Sequence, residues 1–358
     1  MPVSPDEGAR LATTAVDVVA AAELEMLRMI ARRLADGIDA PDWARLKLAE
    51  LQMLRARLAR ELSAMDAGLA QAAGATIQQA YTIGEAIAVA DLDVAGARPT
   101  LPPAQVRAIQ IITTDLNAHL AGSATRALRT MVDAYQETIA AASSTVILGG
   151  ATRRVAAQAA LDRLLGQGID GFVDSAGRNW RLESYVEMAT RTGAGQAAVA
   201  GHLDTLQASG QNLVQIIPGP RACPICDGWA GKVVSLTPVT AAVVDGERVD
   251  VFGTMDQARQ AGVFHPNCRC ATGIFIPGIT RLRTERPDPR GYEVQQEQRG
   301  MERKIREWKR REALALSTDA ARAARVKQAE WQGQLRGHLN ANPELKRRRD
   351  REQIARAI

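Results

Sequence analysis

The chain has 358 residues, 46% of them hydrophobic, and 45 Lys/Arg against 40 Asp/Glu give a net charge of +5. That length is enough for two or three domains and at least one sizeable core. It holds no stretch of about 18 apolar residues, so no transmembrane helix is expected. Asp6, Glu7 and Asp17 interrupt the first twenty residues, so no signal peptide is expected either, and the protein is expected to be soluble and made in a cytoplasm. Aromatics are only 4% and alanine is abundant. Alanine with Leu, Arg, Glu and Gln favours helix, because these side chains lose little rotamer freedom there. The expected class is mainly α with a small α+β central part.

Charge is unevenly spread. From Arg281 to the end there are 21 Lys/Arg and 12 Asp/Glu, a net +9, so the rest of the chain is net −4. Such a basic tail is either a solvated mixed-charge helix or a contact for nucleic acid or an acidic protein. Lys346, Arg347, Arg348 and Arg349 form the one run dense enough to favour an interaction.

Residues 8–37 and 41–92 read as helices, with Pro41 and Asp42 suited to open the second. Leu51, Leu54, Leu58, Leu62, Met65 and Leu69 recur every three or four residues and form one apolar stripe. Arg55, Arg57, Arg60 and Glu61 take the other faces. The stripe reads as the core of a helical hairpin or bundle, or as a coiled-coil seam to a partner. Residues 95–103 are a Gly/Pro linker. Helix resumes over 104–147 with a break near Gly122 and Ser123, and a short helix follows over 152–166.

The texture then changes. Residues 171–180 read as a β-hairpin, with Phe172 and Val173 on one strand, a turn at 174–177 and Trp180 on the other. Residues 182–209 read as helix and Leu213–Ile217 as a buried strand. Val233–Leu236 and Val249–Phe252 are further strand candidates, and Asp256–Ala261 is a short helix. The fold is expected to end after Ile276, with a linker over 277–289 and a polar helical tail broken near Asn342 and Pro343. The chain thus divides into an N-terminal helical region (1–95), a helical plus α+β region (104–278) and a basic helical tail (279–358).

All four cysteines fall in one region: Cys223-Pro-Ile-Cys226, then His265-Pro-Asn-Cys268-Arg-Cys270 about forty residues later. In a reducing cytoplasm such clustering suggests a metal before disulfides. Two turns that present thiolates or an imidazole suit a tetrahedral Zn²⁺, and soft sulfur favours Zn²⁺ over Mg²⁺ or Ca²⁺. Cys223, Cys226, His265, Cys268 and Cys270 offer five donors for four positions. A closed, sulfur-rich set implies a structural ion, since a catalytic zinc keeps a position open for water. Two disulfides, reduced thiols without metal, and a catalytic thiol or metal are the alternatives. A redox pair would prefer a thioredoxin-like context, whereas this pair lies in a loop between Pro220 and Gly228. A zinc deaminase would place H-x-E before P-C-x-x-C, which fails here. His119, His202 and His338 stand alone in helical patterns and read as core or surface residues. No phosphate-binding G-x-x-x-x-G-K-S/T and no G-x-S-x-G is present, and Gly193-Ala-Gly195 lies in a helical pattern.

Taken together, Gly171-Phe-Val-Asp-Ser-Ala-Gly-Arg-Asn-Trp180, Tyr185-Val-Glu-Met-Ala-Thr-Arg191-Thr192, Cys223-Pro-Ile-Cys226-Asp-Gly-Trp229-Ala-Gly231-Lys232-Val233 and Gly262-Val-Phe-His265-Pro-Asn-Cys268-Arg-Cys270 resemble the phage Mu F-like head-morphogenesis family. The branch most similar is phage minor capsid protein 2. The resemblance covers about residues 150–278. Cys270 stands where that branch often has His, an exchange that fits a metal ligand and leaves His265 as the fourth ligand or a spare.

The resemblance implies a structural, multimeric, non-enzymatic protein of the phage head, assembled in the host cytoplasm near the portal. Its expected partners are the portal and/or major capsid protein, and the basic tail could touch packaged DNA. Zn²⁺ is the expected structural cofactor. The alternative is a virion-carried effector enzyme of ADP-ribosyltransferase or nuclease type, to which Arg191, Glu183 and Glu187 could be recruited. No general acid/base pair or partnered nucleophile can be placed for it.

Overall fold

The structure is a computed structural model that describes the chain apart from residues 1–7, 9, 102–105, 121–122, 148–150, 168–170, 174–178, 220–223, 239–240, 245–246, 267, 269, 283–288 and 355–358. It is mainly α-helical, with one four-stranded mixed sheet and two small hairpins. The chain divides into two compact units. One comprises residues 1–15, 70–120 and 186–292; the other comprises 16–69, 121–185 and 293–358.

The N-terminal helices are α1 (Thr13–Ala35), α2 (Trp43–Ala49) and α3 (Leu51–Val94). The single helix expected over 41–92 is interrupted at Glu50, where the backbone N–H still reaches Leu46 O at 3.1 Å. Asp42 precedes α2 without a side-chain capping bond; its carboxylate accepts from Arg45 at 2.7 Å instead. Glu50 itself is drawn aside by Arg33 at 2.6 Å and buried Lys47 at 3.7 Å. Of the predicted stripe, Leu54, Leu58, Leu62, Met65 and Leu69 are buried and Leu51 is half-buried, while Arg55, Arg57, Arg60 and Glu61 are exposed. At roughly 2 kcal/mol for each fully buried aliphatic side chain, the stripe supplies a large share of the local packing energy.

Helices α4 (Val106–Leu120) and α5 (Ser123–Ile147) fall in the expected 104–147 segment, and Gly122, where a break was expected, lies outside the described residues. They are followed by α6 (Arg153–Gln167) and by the hairpin of β1 (Gly171–Val173) and β2 (Asn179–Arg181), in which Phe172 pairs with Trp180. Next come α7 (Leu182–Ala208) and β3 (Leu213–Ile217), both close to expectation. Among the described residues the remaining elements are α8 (Pro224–Asp227), β4 (Val233–Ser235), β5 (Ala241–Val244), β6 (Glu247–Asp250), β7 (Gly253–Thr254), α9 (Met255–Gln260), β8 (Ala271–Ile274), α10 (Pro289–Ala313), α11 (Thr318–Ala341) and a 3-10 turn over Arg349–Glu352.

In the unit that includes 70–120 and 186–292, α3 and α7 approach backbone to backbone. A Cβ on Gly84 would fall 2.0 Å from Ala198 O, and one on Gly201 would fall 2.2 Å from Tyr81 O, so only glycine permits this crossing. The sheet has strand order β7-β4-β3-β8. Its centre, β3, is antiparallel to both neighbours, while β4 and β7 run parallel. The strand expected over 249–252 is shifted: the chain leaves the β5–β6 hairpin at Asp250 and rejoins the main sheet at Gly253. Thr254 then starts α9 with a reciprocal capping box to Gln257, which satisfies two otherwise orphan amides.

In the other unit, a cluster of buried ion pairs accompanies an apolar core that includes Trp43, Tyr135, Leu27 and Ile30. Arg310 is buried and donates to Glu183 at 2.6 Å and to Glu23 at 3.3 Å. Arg306 lies 3.6 Å from Glu183, and Arg311 pairs with Glu307 at 2.9 Å. The tail is therefore not a uniformly solvated basic helix. It breaks at Ser317, whose side chain caps α11 by accepting from Ala320 N, as well as after Ala341.

Candidate metal centre

The sheet register builds the site. Ile217, the last residue of β3, pairs with Ala271, the first of β8. The chain leaving β3 therefore starts its loop beside the place where the second Cys segment ends, and residues about forty apart in sequence meet. The first loop is pinned at its far end: Gly231 N donates to Ile216 O at 2.8 Å and Ile216 N donates to Lys232 O at 3.0 Å. Within it, the one-turn α8 carries Cys226, and Trp229 N donates to Cys226 O at 3.1 Å. The second loop leaves α9 through Gly262 and Phe264, both with positive φ. At Phe264 that conformation is costly for a bulky side chain. It is held by burial of Val263, whose N–H donates to Ala258 O at 3.0 Å, and by the turn in which Cys268 N donates to His265 O at 2.8 Å.

Donor atoms of Cys226, His265 and Cys268 all lie within 4.8 Å of one another. Cys226 Sγ is 3.4 Å from Cys268 Sγ, and Cys226, Cys268 and Cys270 are free thiols. The cluster sits at the edge of an apolar core: Cys226 and Cys270 are buried with Leu206, Val214, Ile216, Val234 and Met255. Hydrogen bonds from the Cys226 and Cys270 thiols hold Cys268 far below the ordinary thiol range. The same bond to Cys268, with burial, pushes Cys226 well up. A cation at this spot would replace the shared protons, as thiolate ligands require. His265 Nδ1 lies 2.7 Å from Pro266 O. A carbonyl can only accept, so Nδ1 carries the hydrogen and the lone pair falls on Nε2, the tautomer in which a ligating histidine is usually held. The residues therefore fit a metal ion of soft, sulfur-seeking character.

Of the five donors expected from sequence, the structure gathers Cys226, His265 and Cys268 into one group and sets Cys270 in hydrogen-bond contact with its thiols. Cys223 lies outside the described residues.

The chain matches the phage minor capsid protein 2 family over residues 3–340. It belongs to that family. A phage structural protein, from Lactococcus phage LL-H, is 25% identical over 187 residues, which is 50% of either chain. The chain thus spans about half the length of the curated relative it matches. No solved structure is significantly similar to it. This family member is accordingly a bacteriophage structural protein of the virion, and no helix among its described residues is long and apolar enough to cross a membrane.

The minor capsid fold also contains a polar group that the sequence did not disclose. His202, read as a core or surface residue, is fully buried, with Nε2 3.2 Å from Asp91 Oδ2 and Nδ1 3.1 Å from Thr272 Oγ1. A carboxylate only accepts, so Nε2 donates to Asp91 and Nδ1 accepts from Thr272. Burial lowers the His202 pKa to about 4 and keeps the ring neutral. Acid, imidazole and hydroxyl in a row look like a nucleophile relay, yet His202 and Thr272 are both 0% exposed. The group instead ties α3 and α7 to β8, two residues beyond Cys270. Lone histidines in a helix give no signal of such partners. His338, by contrast, reaches Val294 O at 3.0 Å, a tie between α11 and α10. Glu183, recruited above to an enzyme reading, is engaged by Arg310 and Arg306, and Glu187 pairs with Arg191 at 3.3 Å.

Proposed function

We propose that this minor capsid protein is a non-enzymatic head-assembly component that docks on the portal and/or the major capsid protein near the portal vertex, with a structural Zn²⁺ at its centre. The family match over nearly the whole chain carries the reading. The ion would be held by four of Cys223, Cys226, His265, Cys268 and Cys270, and would supply a closed clamp between the two loops that flank β3 and β8. The three sequence segments take separate roles in this reading. The N-terminal helices (1–95) are the docking region, the segment 104–278 carries the metal site, and the tail (279–358) faces packaged DNA. Support for the tail contact is the +9 charge, of which Arg336, Lys346 and Arg349 are exposed and make no ion pair among the described residues. The protein acts as several copies in the virion and assembles in the host cytoplasm.

The test is co-sedimentation of purified protein with portal rings and with procapsids under assembly conditions. The reading expects co-migration with at least one of them, lost when residues 1–95 are mutated at exposed positions such as Arg55 and Arg60. Failure to associate with either particle at any ratio would refute it.

A further inference from the structure

Within residues 106–120 and 186–292, an apolar hollow stands open and, at another place, an apolar knob stands exposed. The hollow measures about 620 Å³. Val199, Ala200 and Leu203 form its apolar stripe on α7, which lines it from Gln196 to Gln207, roughly 16 Å. Ile111 and Ile112 of α4 also line it, as do Met255 of α9 and Phe264, the residue held at a φ of 64°. Ile111 is 59% exposed, so the apolar lining continues to the mouth. Besides His265, the charged groups there are Asp204, Asp256 and Arg259, two carboxylates against one guanidinium. Asp204 accepts from the Tyr81 hydroxyl at 2.8 Å, whereas Asp256 is exposed and makes no ion pair among the described residues. The knob follows β8. Ile276 N donates to Thr280 Oγ1 at 2.9 Å, Thr280 N donates back to Ile276 O at 2.8 Å, and Gly278 takes the positive φ that the turn needs. This turn presents Ile279 at 65% exposure, and Leu282 follows at 44%. Arg281, between them, is exposed and makes no ion pair among the described residues.

We propose that the knob of one copy seats in the hollow of a second copy of this chain, with Ile279 and Leu282 against the α7 stripe and Arg281 towards Asp256. Apolar surface meets apolar surface, and a single cation meets a lining with one carboxylate in excess. The hydrogen-bonded turn at Ile276 and Thr280 sets the knob in advance, so docking costs it little freedom. Ile279 does not line the hollow of its own copy, so knob and hollow are different surfaces and the contact is heterologous. Each copy gives one knob and receives another, which builds a ring or an open chain of copies and not a two-fold dimer. The inference deepens the multimeric reading above and rests on it for the presence of neighbouring copies. It needs neither portal docking nor the ion, so co-sedimentation with portal rings can succeed or fail without deciding it.

The experiment is sedimentation velocity of the full chain over a range of concentrations, with a knob variant, Ile279→Asp/Leu282→Asp, and a hollow variant, Ile111→Asp/Asp256→Arg. All four positions are exposed, and an unchanged melting temperature checks that each variant is folded. Wild type should grow beyond a dimer as concentration rises. Each variant alone should need at least about tenfold more protein to associate. Mixed in equal amounts, the knob of the hollow variant still fits the hollow of the knob variant, so the mixture should form one-to-one pairs and stop there. Association of either variant alone as in wild type, or a mixture that stays monomeric, would overturn the proposal. If wild type and both variants multimerise alike, the copies meet through another surface, and the multimeric reading stands while this contact falls. A wild type that stays monomeric, with co-sedimentation on portal rings lost in the hollow variant, would assign the hollow to the portal and overturn the second-copy assignment.

Discussion

Around its candidate metal centre, the unit of residues 70–120 and 186–292 is apolar: Leu206, Val214, Ile216 and Val234 surround thiols. The other unit buries carboxylates and guanidinium groups together: Glu23, Glu183, Glu302, Glu307, Arg306 and Arg310. Both solutions are conditional, but on different things. Neighbouring thiols in an apolar pocket share protons awkwardly until a cation replaces them. Buried ion pairs need no ligand, yet they are intolerant of losing one member, because the survivor is left charged and desolvated. One unit should therefore answer to metal and the other to single charge deletions.

The largest effect should come from the metal side. Strong chelation, or Cys226→Ser, should remove a binding term on the order of 10 kcal/mol that is also folding free energy. Limited proteolysis read by mass spectrometry should then open sites within 186–292 while 123–167 stays protected. Equal protection throughout would mean that the thiols pack without an ion. Next is Arg310→Met, which removes a shared partner of Glu23 and Glu183. It should cost about 3–5 kcal/mol in guanidinium denaturation, and Glu23→Gln in the same background should return part of it. Metal content should not change; if it does, the contrast between the units fails.

A smaller effect concerns pH. His202 titrates near 4 when folded against 6.5 ordinarily. Its folded pKa is depressed, so the unfolded chain binds the extra proton first. The stabilisation is complete above about 6.5 and drains away as pH falls towards about 4, by up to about 3 kcal/mol. Denaturation across that window should show the slope, and His202→Gln should flatten it. A slope that survives the substitution would assign it to other groups. Smallest is Thr254→Ala, which removes half of the α9 capping box and should cost about 1 kcal/mol by thermal melting, with metal retained.

How far these features could be read in advance depends on the range of the interaction. The stripe from Leu54 to Leu69, the Phe172–Trp180 pair and β3 were legible, because periodicity and turn residues act over a few positions. Strand β8 was not: Ala271–Ile274 contains Gly273 and Thr272, and only pairing with β3 makes it a strand. The interruption at Glu50 is a single residue with favourable helix formers on both sides, and the bonds from Glu50 N to Leu46 O and from Leu54 N to Glu50 O are both kept at 3.1 Å. The break at Ser317 carries a local signal, a serine whose side chain caps α11. In the site, clustering and spacing gave the donor types. They could not say that β3–β8 register would bring Cys226 to Cys268, or that Thr272 would reach His202. The helical tail is legible, but its buried charge is not, because net charge is a local sum and the carboxylates that absorb Arg310 come from positions 23 and 183.

The most direct test of the metal centre is elemental analysis of the purified protein beside its Cys226→Ser and Cys268→Ser variants. The account predicts about one zinc per chain in the wild type and loss of both metal and thermal stability in each variant. Metal-free wild type with unaltered melting in both variants would contradict it.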